Sequence, residues 1–208
     1  MRNKRKVPRF KLQRRLMVEL PGLGKPGSLE RKPYPPGQHG MQRIKYSEYR
    51  LQLEEKQKIR IHYDLREEQL LRLVKSAKRN RAGVWVDVLV NSLERRLQNV
   101  IFRAGLAPSQ MSAGQMISHG QVLVNGRKVD IRSAIIKKGD VVELTAKGLK
   151  NQIYVQSKTA PRLPLPEWIE KFETMDSVKV RLIDEPTIEA VPFPFEKAYF
   201  TSFYSKVS

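Results

Sequence analysis

The sequence predicts an α+β fold, with a mainly helical front half followed by a small domain of two helices, a β-hairpin and further short strands. Apolar residues recur at helical spacing ahead of Gly105, whereas short apolar runs separated by turn residues follow Gly120. The pair Asn125-Gly126 between two such runs indicates a hairpin, because a type I′ turn requires positive φ at both central residues. At 208 residues and 40% hydrophobic content, the chain is large enough to bury one core or several small ones.

The composition indicates a polyanionic partner. The formal net charge is +19 and the pI about 10.3, so nucleic acid is the first candidate. A membrane surface is the competing candidate, but no apolar run approaches the ~18 residues that a span needs, and Pro and Gly interrupt the basic segments. The chain has no cysteine, which excludes disulfides, thiolate catalysis and Cys-type zinc sites. The N-terminus lacks the apolar stretch of a secretory signal.

The positive charge is concentrated at the front. Residues 1–81 carry 23 Lys+Arg against 8 Asp+Glu, residues 82–160 carry 11 against 5, and residues 161–208 carry 6 against 8. The slightly acidic, aromatic tail is therefore expected to pack on protein rather than to bind nucleic acid. The expected domains are a basic arm and Pro/Gly loop over 1–46, a helical domain over 47–91, a small domain over 92–159, and a tail over 160–208 that packs on the helical domain.

The arm over residues 1–18 holds eight cations and no acid. Such an arm is either solvated or ordered by phosphates. The interleaved Phe10, Leu12 and Leu16 favour the second interpretation, since a solvated tail needs no apolar anchors.

A Pro/Gly-rich loop follows over residues 21–40. Within it, Gln38 and His39 stand between glycines, which lets the backbone approach a phosphate or a base edge closely. The alternative is a tight turn with an incidental histidine, and the residues alone leave both interpretations open.

The first predicted helix begins after Ser47, which is expected to cap it, and ends near Arg60. Glu54 and Lys58 have the i,i+4 spacing of an ion pair. Lys56 and Arg60, also four residues apart, are expected to form a cationic ridge without such a pair.

Two further helices are predicted before Gly105. Asp64 and Glu67 have the spacing of a capping box and begin one helix, which Gly83 ends. An apolar stripe predicts the next helix from Val84 to Ala104, and Trp85 lies on that stripe, which favours a core position over base stacking.

The small domain follows. Ser109 is expected to cap a short helix that ends at Ser118. The hairpin comes next, and Arg127-Lys128 leave its turn side by side. A turn over Lys137–Asp140 then leads into a final strand, Val141–Leu144.

Several motifs of the small domain resemble the αL RNA-binding domain named after small-subunit ribosomal protein S-four. They are Leu93-Glu94-Arg95-Arg96-Leu97, Gly105-Leu106, Ser118-His119-Gly120, Val124-Asn125-Gly126-Arg127 and Lys138-Gly139-Asp140-Val141. The flanking segments are similar to the bacterial or plastid S-four family itself, in its cysteine-free form. These segments are Leu20-Pro21-Gly22-Leu23, Pro35-Pro36-Gly37-Gln38-His39-Gly40, Glu55-Lys56-Gln57-Lys58 and Tyr204-Ser205-Lys206. The resemblance covers most of residues 7–170.

The resemblance implies a structural constituent of the small ribosomal subunit, not an enzyme, which binds ribosomal RNA early in assembly at a helix junction of the 5′ domain. It also implies a place near the path by which messenger RNA enters, contact with protein S-five and an effect on decoding accuracy. Some relatives bind their own messenger. No cofactor is implied, and no metal is assigned, because the cysteine zinc site of many relatives has no counterpart here. Bacterial and plastid members look alike, so the cytoplasm is expected and the plastid stroma stays open.

Candidate RNA-binding residues come from both halves of the chain. In the small domain they are Arg95, Arg96, Arg103, Ser109, Gln115, His119, Asn125, Arg127 and Lys128. In the front half they are Lys4, Arg5, Arg9, Arg14, Arg15, Gln38, His39, Arg43, Arg50, Lys56, Lys58 and Arg60. Arginine bridges two phosphate oxygens as a fork and lysine acts as a point charge, so the arginines are expected to fix geometry.

The sequence departs from the family pattern in two places. Gly114 stands where relatives commonly have Arg, and Ser112 where they commonly have an acid, so the short helix is expected to be weak and to lack one phosphate contact. The segment 188–200, with Pro192-Phe193-Pro194-Phe195, is unlike the usual strand-forming ending.

Two other classes of protein carry the same domain. An RNA-modifying enzyme, such as a pseudouridine synthase, needs a catalytic Asp in a large mixed sheet, and the 48 residues after Ala160 are too few for one. The chain also shows no nucleophile constellation. A free RNA chaperone is the other alternative, and stoichiometric, salt-resistant presence in small subunits distinguishes a ribosomal protein from it.

Overall fold

The computed structural model describes residues 8–24, 26–27, 29–80, 83–174 and 176–205, so Lys4 and Arg5 lie outside the described residues. Within them, nine α-helices, one 3-10 helix and five strands confirm the predicted α+β class. The helices are α1 Arg9–Leu16, α2 Glu48–His62, α3 Glu67–Arg79, α4 Trp85–Glu94, α5 Leu97–Arg103, α6 Gln110–Ser118, α7 Ala146–Leu149, α8 Gln152–Thr159, the 3-10 helix Ile188–Ala190, and α9 Lys197–Ser205. The strands are β1 Val122–Val124, β2 Arg127–Lys128, β3 Val141–Leu144, β4 Ile169–Glu173 and β5 Val178–Leu182.

The chain forms two compact units. The first unit takes in the chain up to His62 and again from Pro192, and the second unit runs from Tyr63 to Val191. These limits differ from the expected domains, because α3 packs on α4 within the second unit. Residues 160–191 also belong to the second unit, where they supply two strands, and the tail joins the helical front only from Pro192.

The second unit is built on an antiparallel sheet with the strand order β2-β1-β3-β5-β4. Along β5, Val178, Val180 and Leu182 are buried while Lys179 and Arg181 are exposed. This alternation is that of a strand with one face on a core. Helices α5 and α6 pack in that same core.

The predicted hairpin is confirmed. Asn125 has φ 49° and Gly126 has φ 76°, the positive values that a type I′ turn requires. Val124 pairs with Arg127, and β1 pairs on its other side with β3. The turn therefore projects from one end of the sheet.

The single helix predicted from Val84 to Ala104 is wrong, because the chain breaks between Glu94 and Leu97 into α4 and α5. The segment before β3 supplies the hydrogen bonds at the break. The amide of Leu97 donates to the carbonyl of Ala134 at 2.7 Å, and the amide of Ile136 donates to the carbonyl of Arg95 at 2.9 Å. A distant segment thus replaces helical hydrogen bonds while the apolar stripe continues.

Two of the predicted helix starts are confirmed. Ser47 Oγ accepts from the amide of Arg50 at 3.3 Å, and Ser109 Oγ accepts from the amide of Ser112 at 3.2 Å.

The capping box predicted at Asp64 is wrong. Asp64 has φ 49°, and the helix begins at Glu67. The amide of Arg66 donates instead to Gln69 Oε1 at 2.9 Å. One half of such a cap has therefore formed two residues later in the chain, because the guanidinium of Arg66 has no acceptor for the other half.

In the first unit, α9 packs on α2. Phe200 and Tyr204 of α9 are 0% and 1% exposed, and the ring of Phe203 lies 4.9 Å from Lys56 Nζ. Lys58 binds Glu55, not the predicted Glu54, and donates to the carbonyl of Pro194 at 3.3 Å. The expected ridge of Lys56 and Arg60 is wrong for Lys56, because α9 buries it.

Candidate RNA-binding surface

The hairpin and α6 together present exposed polar side chains in the second unit. Gln115 and His119 are exposed on and just after α6, and Arg127 and Lys128 are exposed on β2. Helix α6 itself contains no basic residue. Any positive charge over α6 must therefore come from neighbouring segments.

Asn125 fixes the hairpin turn from within. Its Nδ2 donates to Asp140 Oδ1 at 2.9 Å, and its Oδ1 accepts from the amide of Val141 at 2.9 Å. Asp140 Oδ2 in turn accepts from the amide of Lys137 at 2.7 Å. The Asn125 side chain thus ties two turns together, and its role is to orient the hairpin.

The side chains of Arg127 and Lys128 lie on opposite faces of the sheet. Successive residues of a strand point to opposite sides of a sheet. Lys128 crosses the backbone after α6, where a methyl group placed on Gly120 would lie 2.0 Å from Lys128 Cε. The expectation that the two cations leave the turn side by side is therefore wrong for their side chains.

Arg95 is held by acceptors of the protein. Its Nε donates to the carbonyl of Ile136 at 2.9 Å, and its Nη1 donates to Asn91 at 3.1 Å and to Glu185 at 3.3 Å. Arg96 is partly buried, and this burial lowers the pKa of its guanidinium against the opposing effect of Asp64. Arg95 therefore braces the end of α4.

Arg103 belongs to a buried network. It is 6% exposed, its Nη2 donates to the carbonyl of Ala190 at 2.8 Å, and its Nε lies 3.5 Å from Glu94 Oε2. Glu94, which is 0% exposed, also accepts from the hydroxyl of Tyr63 and from Asn99 Nδ2 at 2.7 Å. Burial raises the pKa of Glu94, and the charge of Arg103 opposes that rise. Arg103 is thus placed to stabilise the core, and not to meet RNA.

Ser109 is likewise buried, at 6% exposure, and its hydroxyl serves the α6 cap. Its position as a helix cap was expected, and its burial was not. We therefore leave Arg95, Arg103 and Ser109 out of the proposed RNA surface.

In the first unit, Arg14 shapes the Pro/Gly loop. Its Nε donates to the carbonyl of Tyr34 at 3.0 Å, its Nη2 donates to that of Pro35 at 3.3 Å, and its guanidinium lies 4.9 Å from the Tyr34 ring centroid. A methyl group placed on Gly40 would lie 2.1 Å from the oxygen of Pro35. The loop therefore closes tightly on itself and is held by Arg14.

The cations of α2 are also engaged within the first unit. Arg50 pairs with Glu54 at 2.9 Å, and the Nε of Arg60 donates to Gln57 at 2.8 Å. Lys56 and Lys58 are only 7% and 8% exposed. The contacts of Arg50 and Arg60 thus lie within α2, whereas Lys56 and Lys58 contact the tail at Phe203 and Pro194.

The predicted candidates of the first unit that are exposed all lie outside α2. They are Arg9, Arg15, Gln38, His39 and Arg43. Gln38 and His39 lie at the tip of the loop that Arg14 holds. The tight loop geometry alone is compatible with both interpretations of this pair, so its binding role stays a prediction.

Sequence reasoning missed a basic face on α3. Arg72, Lys75 and Arg79 are exposed there at i, i+3 and i+7, the spacing of one helix face. That spacing is visible in the sequence. The partly buried Trp85 has Lys78 Nζ 5.6 Å from its ring centroid, so it does not stand open for base stacking.

Both units are basic in their own right. The segments of the first unit contain 19 Lys+Arg and 6 Asp+Glu, and those of the second contain 21 and 15. Among the described residues, no cluster of three or more His, Asp or Glu side chains could hold a metal ion. Within those residues, no helix is long and apolar enough to cross a membrane.

A helix pair with a basic hairpin, together with a second basic unit, indicates a nucleic-acid-binding protein of the α+β class. Comparison with known families makes the assignment specific. Residues 4–94 match the family described as the ribosomal protein S4/S9 N-terminal domain, and residues 95–142 match the S4 domain.

Individual relatives match nearly the whole chain. The identity is 57% over 205 residues with small ribosomal subunit protein uS4B of Bdellovibrio bacteriovorus, covering 99% of both chains. It is 40% over 200 residues with small ribosomal subunit protein uS4 of Methylobacillus flagellatus, covering 95% of this chain and 96% of that one. For the uS4 protein of Nocardia farcinica it is 39% over 200 residues, with coverages of 96% and 97%. The chain belongs to the small ribosomal subunit protein uS4 family, whose members are structural proteins of the ribosome and not enzymes, as predicted.

Proposed function

We propose that this protein is a structural constituent of the small ribosomal subunit that binds the ribosomal RNA of that subunit directly. The observation that carries the proposal is the 57% identity with a small ribosomal subunit protein over 99% of both chains. The basic character of both units supports RNA as the ligand.

The proposed RNA contacts are the predicted side chains that remain exposed and that the fold itself does not use, so Asn125, which is exposed but ties the hairpin turn, is left out. In the second unit they are Gln115, His119, Arg127 and Lys128, and in the first unit Arg9, Arg15, Gln38, His39 and Arg43. Helical RNA offers phosphates and 2′-hydroxyls rather than readable base edges, so recognition depends on where charge is placed on a rigid frame. The sheet and the tied turns supply that frame for the hairpin.

The finer part of the proposal concerns the place of binding. We propose the 5′ domain of the small-subunit RNA as the binding region, with two RNA segments held by the two basic units. The same proposal includes contact with the neighbouring protein S-five, a place near the messenger path and an effect on decoding accuracy. It also includes repression of the protein's own messenger and residence on the cytoplasmic ribosome rather than on that of a plastid.

Sedimentation tests the ribosomal assignment. We expect the tagged full-length protein to appear in stoichiometric amount in small subunits and to stay there after a high-salt wash. Absence from salt-washed subunits, with recovery only in free or immature particles, would contradict the assignment and favour an RNA chaperone.

Direct binding is tested with a 5′-domain transcript of small-subunit RNA. We expect log K to fall steeply with log salt, and Arg127→Gln with Lys128→Gln to make that slope shallower by roughly 1 to 2 units. The control pair, Lys138→Gln with Lys179→Gln, removes the same net charge from lysines already paired with Asp184 and Glu143 at 3.1 Å. An equal change in both double variants would remove the hairpin from the proposed surface.

A further inference from the structure

A cation from outside α6 lies across the middle of that helix. A methyl group placed on Gly114 would lie 3.1 Å from Cδ and 3.2 Å from Nε and Cζ of Arg132. Arg132 Nε also donates to Ser118 Oγ at 2.9 Å, one turn further along the helix. The side chain of Arg132 therefore runs along α6 and uses the space that a side chain at Gly114 would fill.

A second cation uses a second glycine in the same way. Lys128 of β2 crosses Gly120, where a methyl group would lie 2.0 Å from its Cε and 2.6 Å from its Nζ. Gly114 lies within α6, and Gly120, with φ 65°, lies just past its end. Both cations are exposed, and among the described residues neither forms an ion pair with an acid.

We propose that Arg132 and Lys128, lying over Gly114 and Gly120, form a binding site for the phosphates of one RNA strand along α6. The proposal rests on the proposed ribosomal RNA binding and adds Arg132, which the motifs did not indicate. It also corrects the expectation that Gly114 leaves this helix without a phosphate contact, because the contact is supplied from the loop after the hairpin.

Gly114 costs the fold stability, and this cost distinguishes a role in RNA binding from a purely structural role. In a helix interior, Gly is about 1 kcal/mol less favourable than Ala. Gly114→Ala should therefore raise the thermal midpoint, while its methyl group displaces Arg132. If the Arg132 position matters for RNA, the same substitution weakens binding as it stabilises the fold.

The test uses the full-length protein and the 5′-domain transcript, with affinity measured from about 0.05 to 0.3 M salt. Arg132→Met keeps an apolar stem on Gly114 and removes the charge. We expect this variant to lose roughly tenfold in affinity near 0.1 M salt and about 1 unit of salt slope. Gly114→Ala should lose less affinity, because its methyl group shifts Arg132 by only a few tenths of an ångström. The double variant should lose no more than Arg132→Met alone, because both substitutions act through one contact. Arg162→Met, which removes an exposed arginine outside this site, is the matched control.

The outcomes separate the two proposals. Failure of the wild-type protein to bind the transcript would overturn ribosomal RNA binding, and this site with it. Wild-type affinity and slope in Arg132→Met would overturn this site alone. Additive losses in the double variant would overturn the role of Gly114 as the seat of Arg132.

Discussion

At the scale of single residues, the central observation is that several arginines of this basic protein stabilise its own fold. Arg103 neutralises the fully buried Glu94 and donates to the carbonyl of Ala190. Removing one member of such a pair leaves an uncompensated charge in the core, which costs about 3 to 5 kcal/mol. We expect Arg103→Met to lower the free energy of unfolding by that amount in urea titrations.

The control for this prediction neutralises the partner as well. In Glu94→Gln with Arg103→Met, no buried charge remains, and the amide oxygen can still accept a hydrogen bond from Tyr63 or Asn99. Part of the lost stability should therefore return. A loss below about 1 kcal/mol in the single variant would contradict the structural role and return Arg103 to the RNA-facing candidates.

Glu173 leads to a prediction about pH. It accepts hydrogen bonds from Lys158 and from Tyr154 and pairs with Lys171 at 3.3 Å. The contact with Lys158, followed by the charge of Lys171, lowers the pKa of Glu173 to about 2, against the opposing effect of its partial burial.

Because the folded-state pKa of Glu173 lies below the unfolded value of about 4.3, its contribution to stability is present above that value and is lost as pH falls towards 2. Glu173→Gln should therefore be less stable than the wild type at pH 6, and the difference should shrink between pH 4.5 and pH 3. The group is partly exposed, so the difference should stay below about 1 kcal/mol. Glu170→Gln, on the same strand, serves as the control. A difference that grows on acidification would show that Glu173 has the opposite effect.

The sequence identified these cations as a class but not their individual partners. Arg95 pairs with Glu185, Arg103 donates to the carbonyl of Ala190, and Arg14 donates to the carbonyl of Tyr34. Each partner is at least twenty residues away, so no local pattern indicates it. Local sequence was enough to predict the exposure of Arg127, because it directly follows the Asn125-Gly126 turn.

At the scale of elements, the predictions that depend on neighbouring residues are correct, whereas one that depends on distant residues is wrong. The Ser47 and Ser109 caps and the hairpin turn depend on residues within three positions of one another, and all three are confirmed. The break between α4 and α5 depends on hydrogen bonds from residues 132–136. Apolar periodicity records which face is buried, and it continues through a break whose cause lies elsewhere in the chain.

The pairing of α2 with α9 gives a prediction at this scale. Phe200 is 0% exposed, with its ring centroid 5.4 Å from that of Phe195 and 5.1 Å from that of Tyr204. Phe200→Ala should destabilise the first unit by about 3 to 5 kcal/mol. Faster hydrogen exchange in α2 and α9 would report the loss. Phe172→Ala removes a ring that is 49% exposed and should cost no more than about 1 kcal/mol. Equal effects of the two substitutions would contradict the packing role of the tail.

At the scale of the whole molecule, the distribution of charge matters more than its total. The first unit has 13 more cations than acids and the second has 6 more. The net charge of +19 already subtracts the acids that pair with cations, but it still includes cations such as Arg14, which backbone carbonyls hold within the fold. Counterion release depends only on cations that neutralise phosphates, and the exposed candidates of each unit are therefore expected to determine the salt dependence.

If each unit binds its own RNA segment, charge removal in the two units should have additive effects. Arg15→Gln with Arg43→Gln in the first unit, and Arg127→Gln with Lys128→Gln in the second, should each make the salt slope shallower by roughly 1 to 2 units. The fourfold variant should then lose roughly 2 to 4 units, because distant and independent contacts add. Footprinting of the 5′-domain transcript should show separate RNA segments exposed by the two pairs. A fourfold variant with the slope of either pair alone, or one common exposed segment, would mean that only one unit contacts this RNA.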